Sequence, residues 1–225
     1  MGKPFILTAS DSFKLGAYRA DPNGPAKGGV VVIQEIFGVN HHIRAVCDRL
    51  AAEGYAAVAP ALFDRQQPNF ETGYSPDEIA DARKFVANPD WGAMMRDTQA
   101  AIDAAAKDGP VGIIGFCMGG TIAFLAAARL NGLSAAIGYY GGQIAKNVDA
   151  KPEVPTQLHF GEKDASIPMS DVETIKQKRG GDCEIYVYPD AGHGFNCDER
   201  GSFNDAAAKV AWRRSIAFLQ AKLKK

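Results

Sequence analysis

The stretch VGIIGFCMGGT, residues 111–121, combines an apolar run with a glycine-framed turn that has a cysteine at its apex. Gly115, Cys117 and Gly119 fit the pattern G-x-C-x-G, the nucleophile-elbow pattern with cysteine in place of serine. Such an elbow holds its nucleophile on a strained strand-to-helix turn, and glycines at these positions allow the close packing that the turn requires. The start of the following helix favours a thiolate. Cys117 is therefore a candidate nucleophile, and a buried cysteine in a glycine-rich turn is the alternative.

Short apolar runs alternate with helical patterns along the rest of the chain. Continuous apolar runs of this kind are typical of strands that are buried on both faces, as in a parallel sheet. The opening segment 4–21 indicates an antiparallel hairpin with its turn at Ser10 and Asp11. The pattern predicts one α/β domain over residues 1–225, with a mostly parallel central sheet and helices on both faces. Strands are predicted at 30–34, 55–60, 111–116, 135–140, 156–160 and 184–189, and helices at 40–53, 76–87, 91–107, 120–131, 170–178 and 203–223.

Several helix ends are readable in the sequence. Ser75 precedes a proline and is typical of a helix N-cap. Gly54 and Gly132 are expected to close two other helices, and the last helix is expected to follow Ser202. The polar connection 63–76 is long enough to form part of a lid.

Composition and charge exclude several classes of protein. The chain has 225 residues, 46% of them hydrophobic and 23% charged, with a formal net charge of -1. This balance gives no reason to expect a nucleic-acid or membrane surface. No apolar run approaches the roughly 18 residues that a membrane span needs, and the N-terminal residues do not resemble a signal peptide. The four cysteines lack zinc-site spacing and are expected to be reduced, which predicts a cytoplasmic location.

An elbow nucleophile needs a base and an orienting acid, which follow it in the chain order nucleophile, acid, base. His193 lies in the loop YPDAGHGF directly after a predicted strand, where flanking glycines let the loop carry an imidazole to the elbow. Asp164 follows the preceding predicted strand and is the expected acid. His159 lies inside an apolar run, so it is more readily explained as a strand residue and is a weaker candidate for the base. Asp190 and Glu162 are weaker candidates for the orienting acid because they lack the placement of Asp164.

Taken together, these residues resemble the dienelactone hydrolases, a family of the α/β-hydrolase fold. The resemblance implies that Cys117, Asp164 and His193 form a catalytic triad that hydrolyses small carboxylic esters or lactones. It implies no need for a metal or an organic cofactor. The resemblance covers nearly the whole chain and rests on the segments 34–63, 115–121, 160–168 and 191–195.

Glu35 ends the apolar run VVVIQE at the carboxyl edge of the predicted sheet, where ligands bind in such folds. A carboxylate there could hydrogen-bond the thiol or take its proton. The resemblance implies the second role, in which the resting thiol of Cys117 is poorly reactive and substrate binding converts it to a thiolate. An exposed strand-end carboxylate is the alternative. The resemblance also implies that the backbone N–H groups of Ile36 and Met118 form the oxyanion hole.

The resemblance weakens at the residues expected to bind substrate. Family members that cleave dienelactone hold a substrate carboxylate with arginines, one of them a few residues after the catalytic histidine. This chain has Cys197 four residues after the predicted base. Arg200 could take the place of the missing arginine, with a solvated charge cluster as the alternative, and Arg83 could face the cleft, with a surface role as the alternative. Phe37 and Tyr74 are candidate pocket walls, although such aromatic residues more often simply pack. A general ester or lactone hydrolase is therefore the prediction.

Two other functions remain open on the sequence. One is a thiol-redox protein in which Cys117 reacts with peroxide, although no cysteine adjoins the elbow to resolve an oxidised thiol. The other is a non-catalytic binding module on the same scaffold. The expected partner is a small-molecule ester or lactone rather than nucleic acid or membrane, and the expected state is a monomer or small homo-oligomer.

Overall fold

The computed structural model describes residues 2–224. They form two compact units, one that extends to Val111 and one that covers Gly112–Lys224, and each unit is described separately below. The single domain over residues 1–225 stays a prediction. Among the helices of residues 2–224, none is both long enough and apolar enough to cross a membrane.

The first unit contains four strands and three α-helices. These are β1 (Lys3–Thr8), β2 (Lys14–Ala20), β3 (Gly29–Ile33), β4 (Ala56–Pro60), α1 (His41–Ala52), α2 (Pro76–Phe85) and α3 (Trp91–Ala105). The strand order is β1-β2-β4-β3. The expected hairpin is present, since β1 and β2 pair antiparallel, and β3 pairs parallel with β4. All residues of β3 and β4 are buried, and both α1 and α3 pack on these two strands.

Capping side chains start the first two helices of this unit. Asn40 caps α1 because its side chain accepts a hydrogen bond from the amide of Ile43 at 3.3 Å. The predicted cap at Ser75 is confirmed, and Glu78 completes a reciprocal capping box with it. Gly54 adopts a φ of 95° just after the end of α1, as a helix-closing glycine does.

The second unit contains four strands and three α-helices. These are β5 (Val111–Phe116), α4 (Met118–Arg129), β6 (Leu133–Tyr139), β7 (Thr156–Gly161), α5 (Met169–Arg179), β8 (Cys183–Tyr188) and α6 (Asp205–Lys222). The first residue of β5 belongs to the first unit. The strand order is β5-β6-β7-β8, and β7 pairs parallel with both β6 and β8. Every residue of β5 and β7 is buried, as their continuous apolar sequences predict. Helix α4 packs on β6, and α6 packs on β6 and β7.

The structure corrects the predicted ends of two helices in this unit. Helix α4 begins two residues earlier than predicted because Cys117 is its N-cap, and it ends at Arg129, so Gly132 lies in the turn before β6. Asn204 caps α6, since its side chain accepts a hydrogen bond from a backbone amide of the first turn. Ser202, the predicted start, instead directs its hydroxyl to a backbone carbonyl in the preceding loop.

Candidate active site

The turn between β5 and α4 has the strained geometry of a nucleophile elbow. Cys117 has φ of 55° and ψ of -115°, a backbone conformation that residues other than glycine rarely adopt. Its amide donates a hydrogen bond to the carbonyl of Tyr139 at 3.0 Å, and its carbonyl accepts one from the amide of Gly120 at 3.0 Å. The strained backbone is therefore held by β6 on one side and by α4 on the other.

Glycines leave the space that this turn needs. A Cβ atom on Gly115 would collide with the carbonyl oxygen of Gly119, and one on Gly120 would collide with the carbonyl oxygen of Tyr139. These contacts involve backbone atoms, which cannot rotate away as the end of a side chain can. The need for glycine at the first position of the G-x-C-x-G pattern thus follows from packing, and Gly120 adds a requirement that the pattern does not include.

Three side chains from three loops of the second unit form a continuous hydrogen-bonded chain. The Nε2 atom of His193 lies 3.1 Å from the Sγ atom of Cys117, and its Nδ1 atom lies 2.8 Å from the Oδ2 atom of Asp164. The side chain of Asp164 is 0% exposed and that of His193 is 19% exposed. The structure therefore brings together the three residues that the sequence analysis grouped, in the arrangement of nucleophile, base and orienting acid.

The loops that carry the acid and the base are joined by backbone hydrogen bonds. The amide of Lys163 donates to the carbonyl of Ala191 at 2.9 Å, and the amide of Glu162 donates to the carbonyl of Tyr188 at 3.0 Å. The second carboxylate oxygen of Asp164 accepts a hydrogen bond from the amide of Ser166 at 2.8 Å. These bonds orient the carboxylate toward the imidazole before any ligand arrives.

The imidazole of His193 is held in its charged form. Burial by itself lowers its pKa, but hydrogen bonds to Asp164 and Cys117 outweigh burial and raise the pKa to about 10. An imidazolium that donates a hydrogen bond to sulfur stabilises a thiolate, which is the reactive form of a cysteine. The arrangement is therefore suited to nucleophilic attack by the Sγ atom of Cys117.

The alternative base and acids have other roles in the structure. His159 lies fully buried in β7, where its ring bonds the hydroxyl of Tyr188 at 2.8 Å and the side chain of Gln157 at 2.9 Å. Burial, with a smaller contribution from Arg214, lowers the pKa of His159 to about 3. This histidine is therefore a neutral core residue. Asp190 forms an exposed ion pair with a lysine, and Glu162 is also exposed.

Tyr140 is a site residue that the sequence analysis missed. Its ring centroid lies 5.2 Å from that of His193 and 5.4 Å from that of Phe195. It follows β6 with a φ of 37°, a second strained position at the carboxyl end of a strand. Its place directly after a predicted strand was the available signal, but the sequence does not show which loops meet there.

Arg200 lies against the loop of the predicted base. Gly194 adopts a φ of 78°, and a Cβ atom placed on it would lie 2.5 Å from an Nη atom of Arg200. The guanidinium group therefore packs on the backbone one residue after His193. Cys197, the residue at the position where the family resemblance led us to expect an arginine, is fully buried.

The remaining candidate residues of the first unit include a buried carboxylate. Glu35 follows β3 and is 1% exposed, which excludes the exposed carboxylate considered as an alternative. Its Oε2 atom accepts a hydrogen bond from the hydroxyl of Tyr74 at 3.4 Å, and the Tyr74 ring packs edge-on against Phe37. Ile36 is half-buried, and Arg83 is exposed in the last turn of α2. The roles of these residues stay predictions.

Comparison with known proteins gives one consistent family. Residues 15–223 match the model of the dienelactone hydrolase family. A Synechocystis protein provisionally named a carboxymethylenebutenolidase is 39% identical, and the alignment covers 97% of this chain and 96% of that protein. The carboxymethylenebutenolidase of Pseudomonas putida is 34% identical, with 95% of this chain and 94% of that protein covered.

The same family appears among the solved structures. A Klebsiella pneumoniae protein provisionally named a dienelactone hydrolase has a TM-score of 0.82 and 35% sequence identity, with 98% of this chain and 99% of that chain covered. This similarity confirms the predicted α/β-hydrolase fold.

Proposed function

Since the chain belongs to the dienelactone hydrolase family and is a hydrolase of ester bonds in small molecules, we propose that its nucleophile is the thiolate of Cys117. The observation that carries this proposal is the continuous chain from Sγ through His193 to Asp164, with distances of 3.1 and 2.8 Å. The raised pKa of the imidazole supports it further, because a charged imidazole favours the thiolate partner.

In the proposed first step, the sulfur of Cys117 attacks the carbonyl carbon of an ester or lactone. A carbon–sulfur bond forms, and the carbonyl oxygen becomes an oxyanion. The N–H group of Met118 is available to it because the first amides of a helix have no partner within the helix. The N–H group of Ile36 is the second proposed donor. Collapse of the intermediate breaks the carbon–oxygen bond, and His193 gives its proton to the departing alkoxide.

In the proposed second step, water releases the acid from the thioester. His193, now neutral, accepts a proton from the water as its oxygen attacks the thioester carbonyl, and the sulfur leaves as a thiolate beside the restored imidazolium. Asp164 holds the imidazole in the required tautomer and orientation throughout, since its carboxylate bonds Nδ1. For an enol lactone the leaving group is an enolate, which can stay unprotonated and accept the proton of the attacking water in place of His193.

Glu35 is proposed to control the thiol of Cys117. In this proposal Cys117 rests as a poorly reactive thiol, and its proton passes to the carboxylate of Glu35 when substrate arrives. The imidazolium of His193 stabilises the thiolate so formed, and Glu35 returns the proton to the sulfur after the acid is released. The burial of Glu35 at the end of β3 supports the role, because a carboxylate out of contact with bulk water interacts more strongly with nearby protons and charges.

Arg200 is proposed to bind a carboxylate group of the substrate. Its guanidinium packs beside His193, and arginine suits a carboxylate because it can donate two parallel hydrogen bonds. Phe37 and Tyr74 are proposed as walls of the substrate site, and Arg83 as a second cationic contact. We further propose a single cytoplasmic domain that acts as a monomer or small homo-oligomer.

The other cysteines do not favour the redox alternative. Burial raises the pKa of Cys47 well above its usual range and raises that of Cys183 to about 12, so both are poor thiolates near neutral pH. Cys197 is fully buried. A peroxide-reactive Cys117 would therefore lack a reactive partner among these thiols.

Hydrolysis of a panel of small esters and lactones tests the proposal. Half of the panel should carry a free carboxylate and half should be neutral. Cys117→Ala is expected to abolish turnover of every member, whereas the matched variant Cys183→Ala is expected to keep it. Turnover by Cys117→Ala at the wild-type rate would show that the cysteine mechanism is wrong.

A further inference from the structure

The carboxylate of Glu35 accepts a hydrogen bond from Tyr74, a residue to which the proposed mechanism assigns no chemical role. The hydroxyl of Tyr74 donates to the Oε2 atom of Glu35 at 3.4 Å, and the phenol oxygen accepts a hydrogen bond from the Nδ2 atom of Asn40 at 3.1 Å. Glu35 is 1% exposed and Asn40 is 5% exposed. The three residues form a short hydrogen-bonded row from the start of α1 to the carboxylate.

The direction of this row follows from the helix cap. The Oδ1 atom of Asn40 accepts from the amide of Ile43, so its amide nitrogen must face the other way. That nitrogen has two hydrogens, and it donates to the carbonyl of Thr72 at 3.2 Å and to the phenol oxygen of Tyr74. Because the phenol oxygen accepts there, its own hydrogen is directed to the carboxylate of Glu35.

Backbone hydrogen bonds of the residues just before Tyr74 determine its position. We use the name strap for residues 70–74. The amide of Thr72 in the strap donates to the carbonyl of Phe37 at 3.1 Å, and Glu71 forms an isolated antiparallel bridge with Gly38. The side chain of Glu71 also pairs with that of Arg44 at 2.6 Å.

The rings add a second constraint on the same residue. The ring of Tyr74 packs on that of Phe37 with centroids 4.6 Å apart. This contact does not involve the hydroxyl, so the ring can stay in place when the hydroxyl is removed. A change to phenylalanine therefore keeps the ring and removes the hydroxyl, with its hydrogen bonds to Glu35 and from Asn40; the comparison with Glu35→Gln separates the first from the second.

We propose that Tyr74 is a positioning residue for Glu35, and this inference rests on the proposed role of Glu35 in controlling the thiol. A carboxylate that receives a hydrogen bond from a fixed donor at one oxygen is held in one orientation, so its other oxygen meets the thiol proton in a constant geometry. Tyr74 thus links the strap and the cap of α1 to the residue that takes the proton. Its hydroxyl acts through Glu35.

A double-mutant cycle tests this inference. The steady-state constants of Tyr74→Phe, Glu35→Gln and the double variant are measured on a small neutral aryl ester. Tyr74→Phe is expected to lower kcat about fivefold with KM unchanged, as for the loss of one modest hydrogen bond to a charged group. In the Glu35→Gln background the same change is expected to have no further effect. Asp81→Asn is the control, because it breaks an exposed ion pair with Lys84 in α2, outside the strap, and its kcat should stay at the wild-type value.

Each outcome of the cycle bears on the inference. An equal loss of kcat from Tyr74→Phe in both backgrounds would overturn it, since Tyr74 would then act independently of Glu35, and so would no loss in either. Wild-type turnover by Glu35→Gln would remove the role of Glu35, and the positioning role of Tyr74 would fall with it. Neither result concerns the nucleophile, which Cys117→Ala tests separately.

Discussion

The charged imidazole of His193 should stabilise the fold in a pH-dependent way. Its pKa rises from an ordinary value of 6.5 to about 10 in the folded protein, through hydrogen bonds to Asp164 and Cys117 that outweigh burial. Because the folded state binds this proton more tightly, the contribution is fully present below about pH 6.5 and is lost as the pH rises through about 10. Its size is at most about 5 kcal/mol, since one pKa unit corresponds to about 1.4 kcal/mol.

Urea unfolding of the wild type and of His193→Gln at several pH values measures this contribution. The difference in free energy of unfolding should be largest below about pH 6.5 and should shrink steadily toward about pH 10. Asp164→Asn should reduce the pH-dependent part, because it removes the negative charge that the imidazolium faces. A difference that stays constant with pH, or grows as the pH rises, would show that the protonated imidazole of His193 does not stabilise the fold.

Three further variants test other parts of the site. Gly115→Ala should destabilise the fold by at least about 2 kcal/mol in urea unfolding, because its Cβ collides with the carbonyl of Gly119; a neutral effect would contradict the packing argument. Asp164→Asn should lower kcat by about 10²-fold or more at a temperature where the variant is still folded, and near-normal kcat would exclude an orienting role. Arg200→Gln should raise KM about tenfold for carboxylate-bearing lactones and leave neutral esters unchanged; equal effects would argue against a carboxylate contact.

The three residues of the candidate triad could be predicted from sequence because each has a local signal. The elbow is recognisable from two glycines around Cys117. Asp164 follows β7, which is fully buried, and His193 follows β8, which is partly exposed. In a parallel sheet the carboxyl ends of strands share one edge, so residues placed there are expected to meet. The order along the chain then assigns acid and base.

Residues whose roles depend on packing between distant segments could not be predicted in the same way. Tyr140 contacts His193 only because β6 and the loop after β8 come together. Ser202 looks like a helix cap, but its hydroxyl bonds the carbonyl of His193 at 2.7 Å, and Asn204 two residues later caps α6. Two neighbouring polar residues compete for such a role, and the tertiary contact decides between them.

The link between Tyr74 and Glu35 illustrates the same limit. The two residues lie 39 positions apart, and the sequence indicates a pocket-wall aromatic at one and a strand-end carboxylate at the other. Their contact depends on the course of the strap. Backbone hydrogen bonds between the strap and the segment after β3 determine that course. No periodicity or spacing in the sequence encodes those bonds.

If an acyl group passes through the sulfur of Cys117, the acylated protein can be trapped during turnover. Wild-type protein is mixed with a small aryl ester, quenched in acid during turnover, and analysed by peptide mapping with mass spectrometry. We expect a mass increase equal to the acyl group on the peptide that contains Cys117, removable by hydroxylamine. Acylation of a different side chain in its place would show that Cys117 is not the nucleophile.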